Sequence, residues 1–342
     1  MQPILANLVE MTGQRDHLRL ELSVLSTLNQ MPSVRQVRSL DIFHHANALF
    51  VRPRCWLHDD QWVTTAVHEP SEDKKAQPLT ELPALSQCIA AHETSALHSP
   101  RKGVHVMWLP IWLHDQVHSC LEITQSRPFA QHKIHVIKSV FFVYQNYQNL
   151  LDYSERDALT GLFNRKTFDE EFSRRIAGNT HSATELGPEG AEQDVQQWLA
   201  VVDVDHFKQV NDRFGHLYGD EVLILMANIL RNSFRAQDRI FRFGGEEFVV
   251  LLRSTTLEMA YRIFNRFREA VQDHHFPQVG KVTVSVGFVS TQEGIPVEIL
   301  GHADQALYYA KDHGRNQVCF YGDLVKQGHV AATVRQDDVE FF

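Results

Sequence analysis

The sequence lacks the features that would place it in a membrane or in an oxidising compartment. No run of 18 apolar residues occurs, so no segment is expected to span a bilayer. The four cysteines are scattered, without a Cys-x-x-Cys pair, and are predicted to be reduced thiols. The first residues carry early acidic side chains and only a short apolar run, unlike a secretion signal. These absences predict a cytoplasmic protein without a membrane partner.

Basic residues are fewer than acidic residues in this sequence. Lys and Arg number 33 against 42 Asp and Glu, which gives a formal net charge of −9. The first part of the chain is balanced, so the part after residue 150 carries the excess negative charge. Nonspecific nucleic-acid binding needs a basic surface and is therefore excluded, whereas a small phosphate ligand held through a metal ion is not. The 342 residues and the 43% apolar content predict about two domains.

The first part of the chain shows mixed patterns. Leucines at helical spacing predict a helix within residues 1–30, and residues 71–78 form a polar loop. The runs at 104–113 and 116–124 predict two strands joined by a short turn.

A long helical pattern follows, with apolar residues spaced 4, 3, 4 and 3 apart. Such spacing fits about two heptads of a coiled coil, and it fits one buried helix face equally well. The helix continues towards the second domain without Gly or Pro, which favours a coiled-coil linker over residues 136–156. The apolar positions are Val136, Val140, Val143, Tyr147 and Leu150.

The second part alternates strands and helices around a central hairpin, which predicts an α/β sheet with helices packed on it. Residues 178–196 are polar and contain glycine, so we expect a mobile insertion there. The last residues, 322–342, are expected to form a mobile tail. The predicted elements are strand 198–204, helix 217–234, hairpin 240–243 and 247–252, helix 255–272, strand 281–289 and helix 297–313.

Residues that could bind a metal ion, a phosphate or a base follow the buried strand that ends in Asp203-Val204-Asp205. Carboxylates at a strand end can hold Mg²⁺ and leave positions for phosphate oxygens. Lys208 follows where the chain turns into a helix, a place where backbone amides bind phosphate. Asn211 and Asp220 could read a base edge, because an Asp accepts from the N1–H and amino group of guanine. Each piece alone is more often an ordinary turn.

The segment "FRFGGEEFVV" (241–250) places carboxylates at a hairpin tip. Gly244 and Gly245 allow a tight turn and a close approach to a ligand. If the two strands are neighbours, Glu246 lies beside Asp203. Such a pair would bind one or two divalent cations, which polarise a phosphate and activate a hydroxyl. Taken alone, the pattern is also that of a solvated turn.

Residues 155–321 resemble the GGDEF-domain diguanylate cyclases, in the GGEEF variant. Five motifs occur in the order of that family: "DALTGLFNR" (157–165), "DVDHFKQVNDRFGHLYGD" (203–220), "RAQDRIFRFGGEEF" (235–248), "SVGF" (285–288) and "ADQALYYAKDHGRN" (303–316). The resemblance implies a nucleotidyl-cyclase-like α/β domain over residues 157–321.

The resemblance also implies site residues. Asp203, Glu246 and the Val204 carbonyl would bind Mg²⁺ or Mn²⁺, and Glu246 would be the general base for the ribose 3′-hydroxyl. The α-phosphate side would be held by Lys208 with the amides of His206 and Phe207.

Further nucleotide contacts follow from the same resemblance. Lys311 and Arg315 would bind the β- and γ-phosphates, and Asn211 and Asp220 would read guanine. Family members that accept ATP replace the guanine-reading Asp, so Asp220 favours GTP.

The family reaction condenses two GTP into cyclic di-GMP with loss of two pyrophosphates. Two domains of a homodimer face each other, so that each 3′-hydroxyl meets the other α-phosphate. The alternative is an inactive domain that binds cyclic di-GMP or GTP as a regulatory protein. Degenerate members usually lose the first Asp or the Gly-Gly-Glu-Glu core, and this sequence keeps both.

A product-inhibition site is implied by "RAQD" at 235–238, which stands at the family's distance before the glycine pair. Arg235 and Asp238 would bind cyclic di-GMP, with Arg266 as the candidate arginine from the other subunit. A surface ion pair is the simpler interpretation of this motif taken alone.

The first domain is predicted to be a sensor. The strand pair at 104–124 and the helix after it resemble the last third of a GAF domain, with a PAS-like domain as the alternative. An α+β GAF-like domain over residues 1–135 would bind an unknown small molecule or no ligand at all.

Overall fold

The chain folds into two compact units, Met1–Ser154 and Glu155–Phe342. The computed structural model describes residues 2–45, 48–65, 76–113, 116–182, 195–235, 237–292 and 294–330. Within these ranges, no helix is both long enough and apolar enough to cross a bilayer. Cys55, Cys88, Cys120 and Cys319 are all buried free thiols, in agreement with the scattered spacing.

The first unit is an antiparallel sheet with helices packed on it. Its strands run in the order β3-β2-β1-β7-β6-β5, and β4 pairs with β2. The strand pair predicted at 104–124 is confirmed as β6 and β7. The elements are α1 (Gln2–Thr12), α2 (His17–Asn29), β1 (Val34–His45), β2 (Ala48–His58), β3 (Gln61–Thr64), β4 (Gln77–Pro78), a 3-10 turn (Leu79–Glu81), α3 (Pro83–Ala90), β5 (Ala96–Arg101), β6 (Val104–Leu113), β7 (Gln116–Gln125) and α4 (Gln131–Glu155).

The N-terminal helical region is two helices instead of one. Asp16 breaks the pattern, since its side chain accepts hydrogen bonds from the Leu18 and Arg19 amides and caps α2. Of the predicted loop at 71–78, residues 71–75 lie outside the described residues, and Gln77 and Pro78 form β4.

The predicted heptad positions of α4 mostly face the core of their own unit. Val140 is buried, and Val136, Val143 and Tyr147 pack against the same core. Only Leu150 of the five is largely exposed, at 55%. The buried-face interpretation is therefore correct for most of this pattern, and the coiled-coil linker over residues 136–156 stays a prediction.

Partly buried polar contacts join α2 to α4 and to β2. Gln148 donates to the Tyr144 hydroxyl at 2.6 Å, and its side-chain oxygen lies 2.8 Å from His17 Nδ1. Glu21 forms an ion pair with Arg54 at 3.2 Å. Burial raises the pKa of Glu21 above its ordinary value even though Arg54 opposes the shift. The helix that leaves the unit is thus held by polar contacts as well as by apolar packing.

The second unit is a mixed sheet between two helical layers. Its strand order is β13-β12-β9-β11-β10-β8. The predicted α/β architecture is confirmed, and the boundaries of the predicted elements agree with the observed ones to within three residues. The elements are β8 (Phe163–Asn164), α5 (Arg165–Ser182), β9 (Gln196–Val204), α6 (Phe207–Phe214), α7 (His216–Ser233), β10 (Arg239–Gly244), β11 (Glu247–Thr255), α8 (Leu257–Asp273), β12 (Val284–Ser290), α9 (Pro296–Asp312), β13 (Val318–Phe320) and α10 (Tyr321–Lys326).

Strand β9 is central, and its two faces belong to two different cores. Trp198, Val202 and Val204 pack under α6, α7 and α8, whereas Leu199 and Val201 pack under α5, α9 and α10. Because side chains alternate along a strand, residue 203 lies on the face of α9.

The insertion expected at 178–196 is only partly described. Helix α5 continues to Ser182, strand β9 begins at Gln196, and residues 183–194 lie outside the described residues.

The start of the expected tail is folded. Tyr321 and Leu324 are buried against the layer that contains α9, and Tyr261 donates to Asp323 at 3.0 Å. The prediction of a mobile segment from residue 322 is therefore wrong for α10. Residues 331–342 lie outside the described residues.

Removing the Leu324 side chain should show that α10 is part of the domain. Leu324 is 5% exposed, and burial of this kind makes Leu→Ala cost about 2–4 kcal/mol of unfolding free energy. Chemical unfolding of Leu324→Ala measures this, with the exposed Lys326→Ala as the matched control. Equal stability of the two variants would mean that α10 does not contribute to the folded domain and is a tail, as the sequence predicted.

Candidate active site

The site is built where β9 ends beside the β10–β11 hairpin. Glu247 is the register partner of Asp203, and the Val204 amide donates to the Glu246 carbonyl at 3.3 Å. The expectation that the two strands are neighbours is confirmed. Gly244 and Gly245 have φ of 142° and 51°, a region that favours glycine. The turn therefore requires both glycines to bring Glu246 next to Asp203.

Arg242 fixes the shape of this turn. Its Nε and Nη2 donate to the Gly245 carbonyl at 3.2 and 2.9 Å, and its Nη1 donates to Asp157 Oδ1 at 2.8 Å. Burial opposes ionisation of Asp157, but hydrogen bonds from Thr160 and Arg242 hold its pKa below the ordinary value. Neither Arg242 nor Asp157 was among the residues predicted from the sequence to form the site.

Asp203 is the buried carboxylate of the site. It is 4% exposed, and Lys311 Nζ lies 2.8 Å from its Oδ2. Burial raises the pKa of Asp203 to about 6, opposed by Lys311 and assisted by the negative charges of Glu246 and Glu247. The site accumulates negative charge that one lysine only partly neutralises.

The second aspartate of the Asp203-Val204-Asp205 segment has a different role from the one expected. Asp205 accepts hydrogen bonds from Thr283 at 2.7 Å, from Ser285 at 2.6 Å and from the Asn316 amide at 3.0 Å. Its oxygens are used inside the protein, so Asp205 is an anchor and not a metal ligand. It holds the loop that carries Arg315 against the end of β9.

The phosphate-binding residues predicted from sequence lie around this anchor. His206 has a left-handed backbone with φ of 58° and begins α6, and the exposed Lys208 follows in its first turn. The first amides of a helix lack intrahelical acceptors, so this turn offers donors to an anion. Arg315 also has a positive φ, 61°, in the loop after α9.

The two predicted guanine-reading residues come from the α6–α7 pair. Asn211 lies on α6 and the exposed Asp220 on α7. A Cβ on Gly219 would lie 2.0 Å from Asn211 Oδ1 and 3.2 Å from the Phe207 ring. Gly219 therefore permits the close approach of the two helices, a constraint that the sequence pattern did not reveal.

The residues of the predicted inhibitory site share one region of the domain. Asp238 accepts hydrogen bonds from the Arg235 amide at 2.9 Å and the Arg253 amide at 3.2 Å. Arg266 donates to the Ser233 carbonyl at 2.7 Å, two residues before Arg235. The carboxylate of Asp238 thus shapes the loop on which the exposed Arg235 stands.

The donor set fits a hard divalent cation. Asp203, Glu246 and the Val204 carbonyl offer oxygen atoms only, the ligands that Mg²⁺ prefers. Burial, with a smaller contribution from the negative charges of Glu246 and Glu247, raises the pKa of Asp203, and a cation bound there would favour its ionised form. Among the described residues, no group of three or more His, Cys, Asp or Glu side chains is placed to hold a metal, so the main-chain carbonyl would be needed as a ligand here.

Comparison with known proteins agrees with this geometry. The model of the diguanylate cyclase GGDEF domain matches residues 154–317. This segment is a GGDEF domain. The chain is 40% identical over 174 residues to the probable diguanylate cyclase DgcT of Escherichia coli, covering 48% of this chain and 35% of DgcT. It is 40% identical over 166 residues to the diguanylate cyclase DgcP of Pseudomonas aeruginosa, covering 47% and 23%.

Among solved structures, the GGDEF domain aligns with the coiled coil and GGDEF domain of DgcB from Caulobacter crescentus in complex with c-di-GMP. The TM-score is 0.48 with 26% sequence identity, over 55% of this chain and 97% of that one. This chain spans about a third of the length of DgcT and about a quarter of that of DgcP. The matched region is the GGDEF domain in each case.

Neutralising Asp203 should stabilise the domain. Its pKa is raised from 3.8 to about 6, so folding disfavours the ionised form, and the unfolding free energy falls as pH rises through this range. Asp203→Asn should gain about 2–3 kcal/mol above pH 7 and much less below pH 4. Calorimetry at both pH values measures this, with the exposed Asp212→Asn as control. A gain in unfolding free energy that does not change with pH would contradict the raised pKa of Asp203.

Proposed function

We propose that this protein is a diguanylate cyclase that condenses two GTP into cyclic di-GMP and two pyrophosphates. The observation that carries the proposal is the pairing of Glu247 with Asp203, which puts the Glu246 turn at the end of β9. The match of residues 154–317 to the GGDEF model supports it, as do relatives named diguanylate cyclases.

In this proposal the oxygen donors at the end of β9 hold Mg²⁺ or Mn²⁺. An ion bound there would polarise the α-phosphate and lower the pKa of the attacking 3′-hydroxyl. Glu246 accepts the proton of that hydroxyl, and Arg242 keeps its turn in place through the Gly245 carbonyl. Catalysis is then largely positioning and electrostatics.

The triphosphate is bound by residues from two sides. Lys208 and the His206 and Phe207 amides hold the part near the reacting phosphorus and stabilise its charge. Lys311 and Arg315 bind the β- and γ-phosphates, with the Arg315 loop held in place by Asp205.

Asn211 and Asp220 recognise guanine. Asp220 accepts from the N1–H and amino group, which adenine does not offer in the same arrangement. The substrate is therefore GTP and not ATP.

The reaction needs two domains, so the working form is a homodimer. Helix α4 leaves three large side chains in solvent on one side, Phe142 at 62%, Leu150 at 55% and Tyr153 at 73% exposed. These residues, of which only Leu150 is a predicted heptad position, are better candidates for a helix–helix contact between subunits than the other four heptad positions, which pack into the first unit. The first unit would act as a GAF-like or PAS-like sensor that controls this arrangement, with a small-molecule ligand or none.

The test of the activity is product analysis. Purified protein is incubated with GTP or with ATP in the presence of Mg²⁺, and the products are resolved by chromatography and mass. Cyclic di-GMP from GTP alone supports both the cyclase and the role of Asp220. If residues 152–342 fused to a constitutive dimeriser also make no product, the chain is the alternative, a domain that binds cyclic di-GMP or GTP without turnover.

Substitution of Glu246 separates binding from chemistry. Glu246→Gln should reduce turnover by more than about 100-fold, since a carboxylate serves as general base and metal ligand. GTP binding, measured by calorimetry, should persist because Lys208, Asn211 and Asp220 are intact. Turnover near the unmodified rate would remove Glu246 from the mechanism.

Substitution of Arg235 addresses product inhibition. Arg235→Ala removes the exposed guanidinium that would bind the product's phosphate and base, so the rate at high cyclic di-GMP should rise severalfold, with the initial rate unchanged. Progress curves with added product measure this, and Arg262→Ala on α8 serves as a control. Equal inhibition in all three proteins would mean that the Arg235–Asp238 site is not used.

A further inference from the structure

Lys311 makes a contact that its role as a phosphate ligand does not require. Its Nζ lies 2.8 Å from Asp203 Oδ2, and its side chain is 33% exposed while that of Asp203 is 6% exposed. The buried carboxylate expected to bind the divalent cation is thus directly paired with a lysine that can reach solvent.

The charges around this pair are mostly negative. In addition to burial, the charges of Glu246 and Glu247 raise the pKa of Asp203, and that of Glu247 also raises the pKa of Asp304, which lies two helical turns before Lys311 on α9. The positive charge of Lys311 opposes the raised pKa of both Asp203 and Asp304. It therefore supplies local positive charge in the place where the proposed metal would supply it.

The backbone around Lys311 is held by hydrogen bonds from the loop that follows α9. Asp205 accepts from the Asn316 amide, and Arg268 donates to the Asn316 side chain at 2.8 Å. Gln317 donates to the Ala310 and His313 carbonyls at 2.8 Å each, which closes the end of α9. A lysine side chain on such a base can exchange one anionic partner for another by rotation about its own bonds.

We propose that Lys311 is the counter-ion of Asp203 and competes with the divalent cation for this carboxylate. A nucleoside triphosphate relieves the competition, because its phosphates attract Lys311 away from Asp203. The proposal rests on the function proposed above and extends it to the order of events at the same site. Two cations on one carboxylate repel each other at short range. Metal and triphosphate therefore bind cooperatively, and each increases the affinity for the other by the same factor.

The proposal is tested without nucleotide by measuring Mn²⁺ binding to the full chain by electron paramagnetic resonance of free Mn²⁺. Lys311→Met should bind Mn²⁺ about fivefold more tightly or better than the unmodified protein, because the competing ammonium is gone. Lys311→Arg, which keeps a cation beside Asp203, should bind Mn²⁺ like the unmodified protein. Asp203→Asn should lose this binding.

A matched charge control separates competition at Asp203 from a general loss of positive charge. Lys281→Met removes an exposed lysine of the same domain, just before Thr283, and should change Mn²⁺ affinity by less than twofold. Unchanged affinity in Lys311→Met, or an equal gain in Lys281→Met, would overturn the proposal. Retained Mn²⁺ binding in Asp203→Asn would overturn it as well. Melting curves check that each variant is folded.

The cooperativity between metal and triphosphate is measured as the change in Mn²⁺ affinity when a nucleotide is added. A nonhydrolysable GTP analogue should tighten Mn²⁺ binding to the unmodified protein more than it does for Lys311→Met, in which no counter-ion has to move. Equal tightening in the two proteins would contradict the transfer of Lys311. Because the nucleotide-free experiment does not depend on turnover, a protein that makes no cyclic di-GMP but shows the Lys311 effect would refute the cyclase and not the ion-pair competition.

Discussion

The register between β9 and β11 is the constraint on which the rest of the site depends. It sets Glu247 opposite Asp203 and brings the Glu246 turn to the end of β9. Because the side chains of a strand alternate between faces, a slip of one residue would turn Asp203 towards the opposite core. That register is secured by the apolar residues on both sides of Asp203, since Val202 and Val204 are buried under α6, α7 and α8. Packing in the core thus places the polar chemistry at its edge.

Much of the second unit was predictable because its signals are local. Apolar runs gave the strands and helices, and the glycine pair gave the turn. The residues that support the site without binding the ligand were not predictable from local patterns. The role of Asp205 depends on Ser285 and on the Asn316 amide, which are 80 and 111 positions away along the chain. That of Gly219 depends on a neighbouring helix. Such roles depend on tertiary contacts that no local pattern encodes.

The first unit shows the same limit in another form. The spacing of apolar residues in α4 correctly gave a helix but could not tell a partner helix from the sheet of its own domain. Both bury the same stripe, so the period alone is equally consistent with either. The exposed Phe142 and Tyr153 lie off that stripe, where the pattern gave no reason to look. Which face of a long helix is solvent-exposed depends on the elements packed against it.

The ion pair between Asp157 and Arg242 has a consequence for the β10–β11 turn. Helix α4 ends at Glu155, two residues before Asp157, and Arg242 joins that aspartate directly to the Gly245 carbonyl of the β10–β11 turn. The connection between Asp157 and the turn thus runs through a single side chain of the GGDEF domain. A displacement of Asp157 would therefore reach the Gly245 carbonyl through Arg242 alone.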